Sequence, residues 1–109
     1  MSSYILMTGA TGLLGEYLLH DLLKLGYRFA LVVRRGRKES VQQRIESMLQ
    51  MWERRLGYLL PRPVCFEGDV SSELLGLDEP DRHWISMNCD RVLHNAAVLT
   101  FFGENREGE

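Results

Sequence analysis

Four short segments with apolar centres occur along the chain, and a longer segment with helical spacing lies between each one and the next. Residues 4–8 and 29–33 are almost wholly apolar, whereas 64–68 and 91–94 have charged or polar residues beside Val64-Cys65-Phe66 and Val92-Leu93. A continuous apolar run of this length, bounded by turn residues, is typical of a strand that is covered on both faces. The intervening segments at 12–25, at 41–56 and from about Pro80 to Asn88 are predicted helices. The predicted order is therefore β-α-β-α-β-α-β.

This alternation predicts an α/β fold built on a parallel sheet. Crossovers between parallel strands are right-handed, which gives a partial Rossmann-type doubly wound sheet with the strand order 3-2-1-4. A length of 109 residues supports one domain or part of one. We expect residues 1–100 to form a Rossmann half-domain and the polar segment 101–109 to be loop or disordered.

The spacing of apolar residues indicates which helix faces are buried. In the first helix Leu14, Leu18, Leu22 and Leu25 share one face, so we expect them to pack on the sheet. The second helix begins with a capping box formed by Ser40 and Gln43, and it ends at Gly57. Its expected buried residues are Val41, Ile45, Met48, Leu49, Trp52 and Leu56.

The first strand and the first helix are joined by a glycine-rich segment, Thr8-Gly9-Ala10-Thr11-Gly12-Leu13-Leu14-Gly15. A bound phosphate needs backbone N–H groups at close range and the positive end of a helix dipole. Gly9 allows a sharp turn off the strand, Gly12 leaves space for a pyrophosphate, and Gly15 lets the helix pack closely on the sheet. We predict a dinucleotide phosphate site; the alternative is a tight strand–helix turn without a ligand.

The end of the second strand is basic. In a dinucleotide-binding fold this position faces the adenosine ribose, where an acidic residue favours NAD. Here Arg34 and Arg35 follow the strand, with Arg37 and Lys38 close behind. Because a guanidinium pairs well with a phosphate and stacks on a purine, we predict NADP(H) as the cofactor. A solvated basic loop is the alternative interpretation.

An acidic residue follows the third strand. The Asp69 carboxylate is placed to accept a hydrogen bond from the adenine amino group, and Val70 is placed to pack on the ring. The alternative is that Asp69 caps the turn at Ser71 and Ser72, as aspartate does in many turns.

The end of the fourth strand supplies small and polar residues. Asn95 is expected to fix the loop, while Ala96 and Ala97 leave space for the nicotinamide ribose. His94 is interpreted as a hydrogen-bonded residue of the buried sheet in preference to a catalytic group.

Composition gives no indication of binding to nucleic acid, a membrane or a metal. A net charge of −2 gives no overall field for nucleic acid. Charged residues interrupt the longest apolar stretch well before the length of a membrane span. Cys65 and Cys89 stand in no metal-ligand spacing, so no metal site is predicted. Two cysteines without a signal segment indicate a cytoplasmic protein with reduced thiols.

Together these motifs resemble those of the extended short-chain dehydrogenase/reductases. The likeness is carried by Thr-Gly-x-x-Gly-x-x-Gly at 8–15, Gly68-Asp69-Val70 and His94-Asn95-Ala96-Ala97. Within them the chain is most similar to the amino-terminal portion of the thioester reductase group, because the glycine motif ends Gly-Leu-Leu-Gly and the second strand ends Val-Arg-Arg. This group comprises the terminal reductase domains of carboxylic acid reductases and of nonribosomal peptide or polyketide synthases, and the related fatty acyl-CoA reductases. The resemblance covers residues 4 to about 100.

The resemblance implies a set of cofactor contacts. Residues of the glycine-rich segment that would contact the cofactor are Gly9, Thr11, Gly12, Leu13 and Leu14. Asp69 and Val70 would contact the adenine, and Asn95, Ala96 and Ala97 would lie on the nicotinamide side. The resemblance also implies 2′-phosphate contacts at Arg34 and at a second arginine about ten residues later, which Arg44 matches. Helical spacing alone would make Arg44 a solvated residue.

The family's catalytic residues have no counterpart in this sequence. Family members reduce their substrate with a Ser or Thr, a Tyr that protonates the carbonyl oxygen, and a Lys four residues after the Tyr. The residues four places after Tyr4, Tyr17, Tyr27 and Tyr58 are Thr8, Asp21, Leu31 and Arg62. We therefore assign no catalytic residue, and we expect the chain to be inactive alone.

The predicted function is the NADP(H)-binding portion of a reductase that converts a carrier-protein- or CoA-bound acyl thioester to an aldehyde or alcohol by hydride transfer. The alternatives are another extended short-chain enzyme, such as a sugar-nucleotide epimerase or dehydrogenase, and a non-catalytic NADP-binding module or truncated product. The fourth strand would be an exposed sheet edge, so self-association through Val92 and Leu93 is a further expectation.

Overall fold

A computed structural model describes residues 3–94 of the chain. Its elements are β1 (Tyr4–Thr8), α1 (Leu13–Lys24), β2 (Phe29–Val33), α2 (Val41–Leu56), β3 (Val64–Glu67), a 3₁₀ segment (Glu73–Gly76), α3 (Glu79–Asn88) and β4 (Cys89–His94). Each predicted helix and strand is present. The predicted polar tail at 101–109 and the site residues Asn95, Ala96 and Ala97 lie outside the described residues.

The four strands form one parallel sheet in the order β3-β2-β1-β4, as predicted. Thr8, the last residue of β1, is in register with Val32 on one side and with His94 on the other. Val33 at the end of β2 is in register with Glu67 at the end of β3. The carboxyl ends of all four strands therefore meet at one edge of the sheet, which is where open α/β sheets bind their ligands.

Apolar residues from the helices cover both faces of the sheet. On one face α1 and α2 pack Leu19, Leu23, Ile45 and Leu49 against alternate strand residues that include Met7 and Phe29. On the other face Trp84 and Ile85 of α3 pack against a smaller cluster of Leu6, Ala30, Val32 and Leu77. All five residues of β2 are buried, which explains their uniformly apolar sequence. This confirms the doubly wound α/β fold.

The predicted buried face of α1 was wrong. Leu14 and Leu25 are 52% and 69% exposed, and Leu18 and Leu22 are only partly buried. The fully buried positions are Gly15, Leu19, His20 and Leu23. The cause is Gly15, which must lie against the β1–α1 turn and so fixes the rotation of the helix. Residues four and eight places later then face the sheet, and leucine spacing alone could not reveal this because α1 carries leucines on several sides.

The features predicted for α2 are confirmed. The Gln43 N–H donates to Ser40 Oγ at 3.1 Å, and the Ser40 N–H donates to Gln43 Oε1 at 2.8 Å, which completes the capping box. Gly57 ends the helix with a φ of 84°. The expected apolar residues are buried, except that Leu56 is only partly so. Between residues 3 and 94, no helix combines the length and the apolar character needed to cross a membrane.

Candidate functional site

The β1–α1 turn presents the amino-terminal end of a helix at the carboxyl edge of the sheet. Gly9 turns the chain with a φ of 75°, a left-handed conformation that favours glycine. Gly12 is the N-cap of α1, and its carbonyl accepts the first helical hydrogen bond, from the Glu16 N–H at 2.9 Å. The N–H groups of Leu13, Leu14 and Gly15 precede that bond, so no helical carbonyl satisfies them. This is the arrangement that binds an anion.

The two later glycines of the motif have different surroundings. A Cβ added to Gly15 would come within 1.8 Å of the Gly9 carbonyl oxygen, so Gly15 is required for close packing of α1. A Cβ added to Gly12 would have only that same oxygen nearby, at 3.5 Å. Open space therefore lies beside Gly12, next to the unsatisfied N–H groups, and a side chain there would fill it. The turn fits a pyrophosphate on these grounds.

A cavity of about 420 Å³ lies beside this turn, between the ends of β1, β2 and β3. Its walls bring together six of the predicted site residues: Gly9, Thr11, Arg34, Arg35, Arg44 and Val70. Ala10, Val32, Val33 and Gly68 complete the lining. Three arginines around a single cavity, next to a helix amino terminus, make its surroundings strongly attractive to an anion.

Arg44 reaches this cavity from the first turn of α2. Its Nη1 donates to the Arg34 carbonyl oxygen at 2.5 Å, which ties the helix to the loop after β2. The residue is half-buried. The solvated position expected from helical spacing alone was therefore wrong, whereas the position implied by the family resemblance lies in the cavity wall.

Asp69 lines a neighbouring hollow of about 520 Å³, which shares Arg34, Arg35 and Gly68 with the first cavity. Its Oδ1 accepts hydrogen bonds from the Ser71 N–H at 3.0 Å and from Ser71 Oγ at 2.7 Å. These bonds lower the pKa of the Asp69 carboxyl, and the positive charge of Arg34 lowers it further. The capping interaction named as the alternative is thus present in the structure.

Gly68 was not predicted as a site residue, although it belongs to the Gly-Asp-Val motif. A Cβ there would lie 2.6 Å from the Leu75 carbonyl oxygen and 2.7 Å from Val32 Cγ1. The segment that approaches it is unusual, because Leu74 and Leu75 have φ values of 52° and 59°. The glycine directly before the acidic residue was the available signal. Val32 and Val33 gave none, since cavity-lining and core valines look alike in a sequence.

The remaining predicted positions lie around the cavity or beyond the described residues. Leu13 and Leu14 are 78% and 52% exposed on the first turn of α1, so their backbone N–H groups are the parts placed for a ligand. Asn95, Ala96 and Ala97 lie outside the described residues. His94 faces Thr8, with 2.6 Å between His94 Nδ1 and Thr8 Oγ1, which agrees with the hydrogen-bonded role expected for it.

Comparison with known proteins places these features in a family. The family model described as "Male sterility protein" matches residues 7–108. A candidate fatty acyl-CoA reductase of Drosophila melanogaster, CG8306, is 35% identical over 113 residues, which cover 94% of this chain and 22% of that protein. The isonitrile lipopeptide synthase of Mycobacterium tuberculosis is 30% identical over 106 residues, which cover 90% of this chain and 4% of the synthase.

A solved structure shows the same fold. The terminal R domain from the myxalamid PKS-NRPS biosynthetic pathway superimposes with a TM-score of 0.67 and 34% sequence identity. The match covers 86% of this chain and 24% of that one, so the chain spans a quarter or less of these relatives. The chain belongs to the Male sterility protein family, and it forms part of an NAD(P)-binding fold.

Proposed function

We propose that the cavity beside the β1–α1 turn binds NADP(H) in preference to NAD(H). The observation that carries this proposal is the grouping of Arg34, Arg35 and Arg44 around one cavity, where an NAD-specific site would carry an acidic residue. A guanidinium keeps its charge under all relevant conditions and pairs with two phosphate oxygens at once. The 2′-phosphate that distinguishes NADP from NAD would therefore gain several charged hydrogen bonds here.

The other parts of the cofactor have candidate contacts in the same region. The pyrophosphate would lie beside Gly12 and accept hydrogen bonds from the backbone N–H groups that begin α1. Gly9 and Thr11 would line its path, and Gly15 would hold the helix close to the sheet. The adenine would lie near Val70, which is 36% exposed, and near Asp69. The family resemblance assigns the nicotinamide side to Asn95, Ala96 and Ala97.

We further propose that the chain serves a reductase of acyl thioesters held on coenzyme A or on a carrier protein. The names of the relatives support this substrate class, since they include a candidate fatty acyl-CoA reductase and a lipopeptide synthase. When bound, NADPH supplies a hydride for reduction of the carbonyl carbon. This chain contributes binding and orientation of the cofactor, because no tyrosine in its sequence is followed four residues later by lysine. The polypeptide alone should bind NADPH without turning over substrate.

Calorimetric titration with NADPH and with NADH tests the cofactor preference. We expect NADPH to bind more tightly, and Arg34→Ala to reduce the NADPH affinity by roughly tenfold or more, since a charged hydrogen bond is worth about 1.5–3 kcal/mol. The NADH affinity should change little. Arg54→Ala is the matched control, because it removes the same charge from an exposed position in the last turn of α2. Equal affinities of the unmodified chain for the two cofactors would overturn the proposal.

A further inference from the structure

Arg44 is restrained at both ends of its side chain. At the tip, Nη1 donates to the Arg34 carbonyl oxygen. At the base, the Arg44 N–H donates to the Ser40 carbonyl at 3.0 Å, so the capping box of α2 fixes the position of the Arg44 backbone. Between these points the methylene stem passes over the loop that connects β2 to α2. The orientation of this guanidinium is therefore set by the loop as well as by the helix.

Gly36 is the residue over which the stem passes. A Cβ added to Gly36 would lie 3.3 Å from Arg44 Cδ and 3.9 Å from Arg44 Cγ, with the Glu39 carbonyl oxygen at 3.4 Å. The first of these distances is closer than an ordinary carbon–carbon contact. The backbone of Gly36 does not have a positive φ. Glycine thus leaves the space in which the Arg44 stem lies, and a larger residue would push directly on that stem.

We propose that Gly36 is a positioning residue for Arg44, and that it thereby determines the preference for NADP(H) over NAD(H). The inference rests on the proposed function. A bidentate contact between a guanidinium and a phosphate depends on the orientation of the planar group, and functional groups must be held to within about 0.5 Å. A side chain at position 36 would displace the Arg44 stem by a few tenths of an ångström and would strain its bond to the Arg34 carbonyl. The phosphate contact would weaken, while contacts to the rest of the cofactor would persist.

Graded substitutions test this role. Dissociation constants for NADPH and NADH are measured for the unmodified chain, Gly36→Ala, Gly36→Val and Arg44→Ala. We expect the NADPH affinity to fall about threefold in Gly36→Ala and about tenfold in Gly36→Val, with the NADH affinity unchanged, because tenfold corresponds to about 1.4 kcal/mol of lost contact. Adding Gly36→Val to Arg44→Ala should cause no further loss, since the arginine through which position 36 acts is then absent.

The outcomes separate this inference from the proposed function. If the unmodified chain binds both cofactors equally, the proposed function fails. If the preference for NADPH exists and Arg44→Ala removes it, but Gly36→Ala and Gly36→Val both keep it, the positioning role alone is overturned. A structural effect of position 36 would weaken NADH and NADPH binding by the same factor, which also contradicts the inference. Should Gly36→Val fail to fold, Gly36→Ala with its thermal unfolding midpoint provides the same comparison.

Discussion

The backbone of Gly15 lies directly against the carbonyl of Gly9, so closely that a Cβ on Gly15 would sit 1.8 Å from the oxygen and 2.8 Å from the carbon. This contact joins the first turn of α1 to the left-handed residue that directly follows β1. It determines which face of α1 is buried, and it places the helix amino terminus at the edge of the cavity. The proposed phosphate site and the core therefore depend on the same pair of glycines.

Gly15→Ala should destabilise the fold strongly. The atoms that a methyl group would meet belong to the backbone, so they cannot move aside as a flexible side chain could. We expect a loss of about 3 kcal/mol or more in the free energy of unfolding, at the upper end of the cost of overpacking. Urea denaturation followed by circular dichroism measures it. A change smaller than about 1 kcal/mol would show that the helix can shift away from Gly9 without penalty.

Gly12→Ala should change the stability of the fold little but weaken cofactor binding. The added methyl group has open space around it, and Gly12 has the extended conformation that any residue adopts, with φ −78° and ψ 166°. We expect a stability loss below about 1 kcal/mol, as for other N-cap changes. The affinity for NADPH should nonetheless fall at least tenfold, because the methyl group occupies the space proposed for the pyrophosphate. Calorimetric titration checks this, and unchanged binding would place the phosphates elsewhere.

The contrast between these two glycines shows what the sequence could and could not predict. The pattern Gly-x-x-Gly-x-x-Gly placed the turn, and apolar residues placed the four strands, although β3 and β4 also carry charged residues. Side-chain spacing predicted the buried face of α2, where apolar residues occupy a single stripe, but failed for α1, where leucines occur on several sides. The contact between the Gly15 and Gly9 backbones determines which face of α1 is buried, and a contact of this kind produces no periodic pattern in the sequence.

The arginines of the site differ in the same way. Arg34 was predicted from its position at the end of a strand, because parallel strands end at a common edge. The position of Arg44 depends on how α2 crosses the sheet, and the residues alone did not indicate it. No sequence motif indicates the space beside Gly36, because that space is defined only by the path of the Arg44 side chain.

Arg62 joins the segment after α2 to two carboxylates on that helix. Its Nε lies 2.9 Å from Glu46 Oε1, and its Nη1 lies 2.6 Å from Glu53 Oε2. The buried residue Leu60 also donates its N–H to Glu53 Oε2, at 2.7 Å. These hydrogen bonds stabilise the ionised carboxylate and lower the pKa of Glu53 to about 2, and they lower the pKa of Glu46.

The stability of the chain should consequently fall in acid. A folded-state pKa below the usual 4.5 means that the stabilisation is complete above about pH 4.5 and is lost as the pH falls towards 2. Arg62→Met should lower the stability at pH 7 and flatten its decline between pH 4.5 and 2. Urea unfolding at several pH values measures both. Asp69 and Asp90 also have a lowered pKa, so some slope remains in either protein. Arg54→Met is the control, and superimposable curves for Arg62→Met and the unmodified chain would contradict the prediction.

His20 is buried without a polar partner. It is 7% exposed, and neither ring nitrogen has a hydrogen-bond partner among residues 3–94. The nearest carboxylate oxygen, Asp21 Oδ1, is 3.5 Å from Nδ1. The imidazole packs instead on Trp52, with 3.8 Å between ring centroids. An unpaired polar group in this position costs free energy that an apolar residue of similar size would not.

His20→Leu should therefore stabilise the fold by about 1 kcal/mol, the lower range of the penalty for a buried unpaired group. Urea unfolding at pH 7 provides the measurement. His83→Leu is the matched control, because His83 is exposed on α3 and its replacement should change stability by no more than about 0.5 kcal/mol. A clear loss of stability in His20→Leu would instead show that contact of the imidazole with Trp52 outweighs the missing hydrogen bonds.

The outer edge of β4 is the feature from which we propose self-association. The strand pairs with β1, and no strand within residues 3–94 pairs with its other side. Val92 in its centre is 66% exposed, as expected for an unpaired sheet edge. Unpaired backbone groups beside exposed apolar residues recruit other strands. We expect the chain to form dimers or larger species as its concentration rises, as measured by light scattering and sedimentation.

Val92→Lys should shift this equilibrium towards the monomer, because a charged residue at a sheet edge opposes pairing with a second edge. Leu59→Lys makes the same kind of change at an apolar residue that is 83% exposed but lies outside the sheet, so it should leave the association unchanged. Equal effects of the two substitutions would assign the association to general hydrophobicity. A monodisperse monomer across the whole concentration range would mean that the β4 edge does not recruit a second chain.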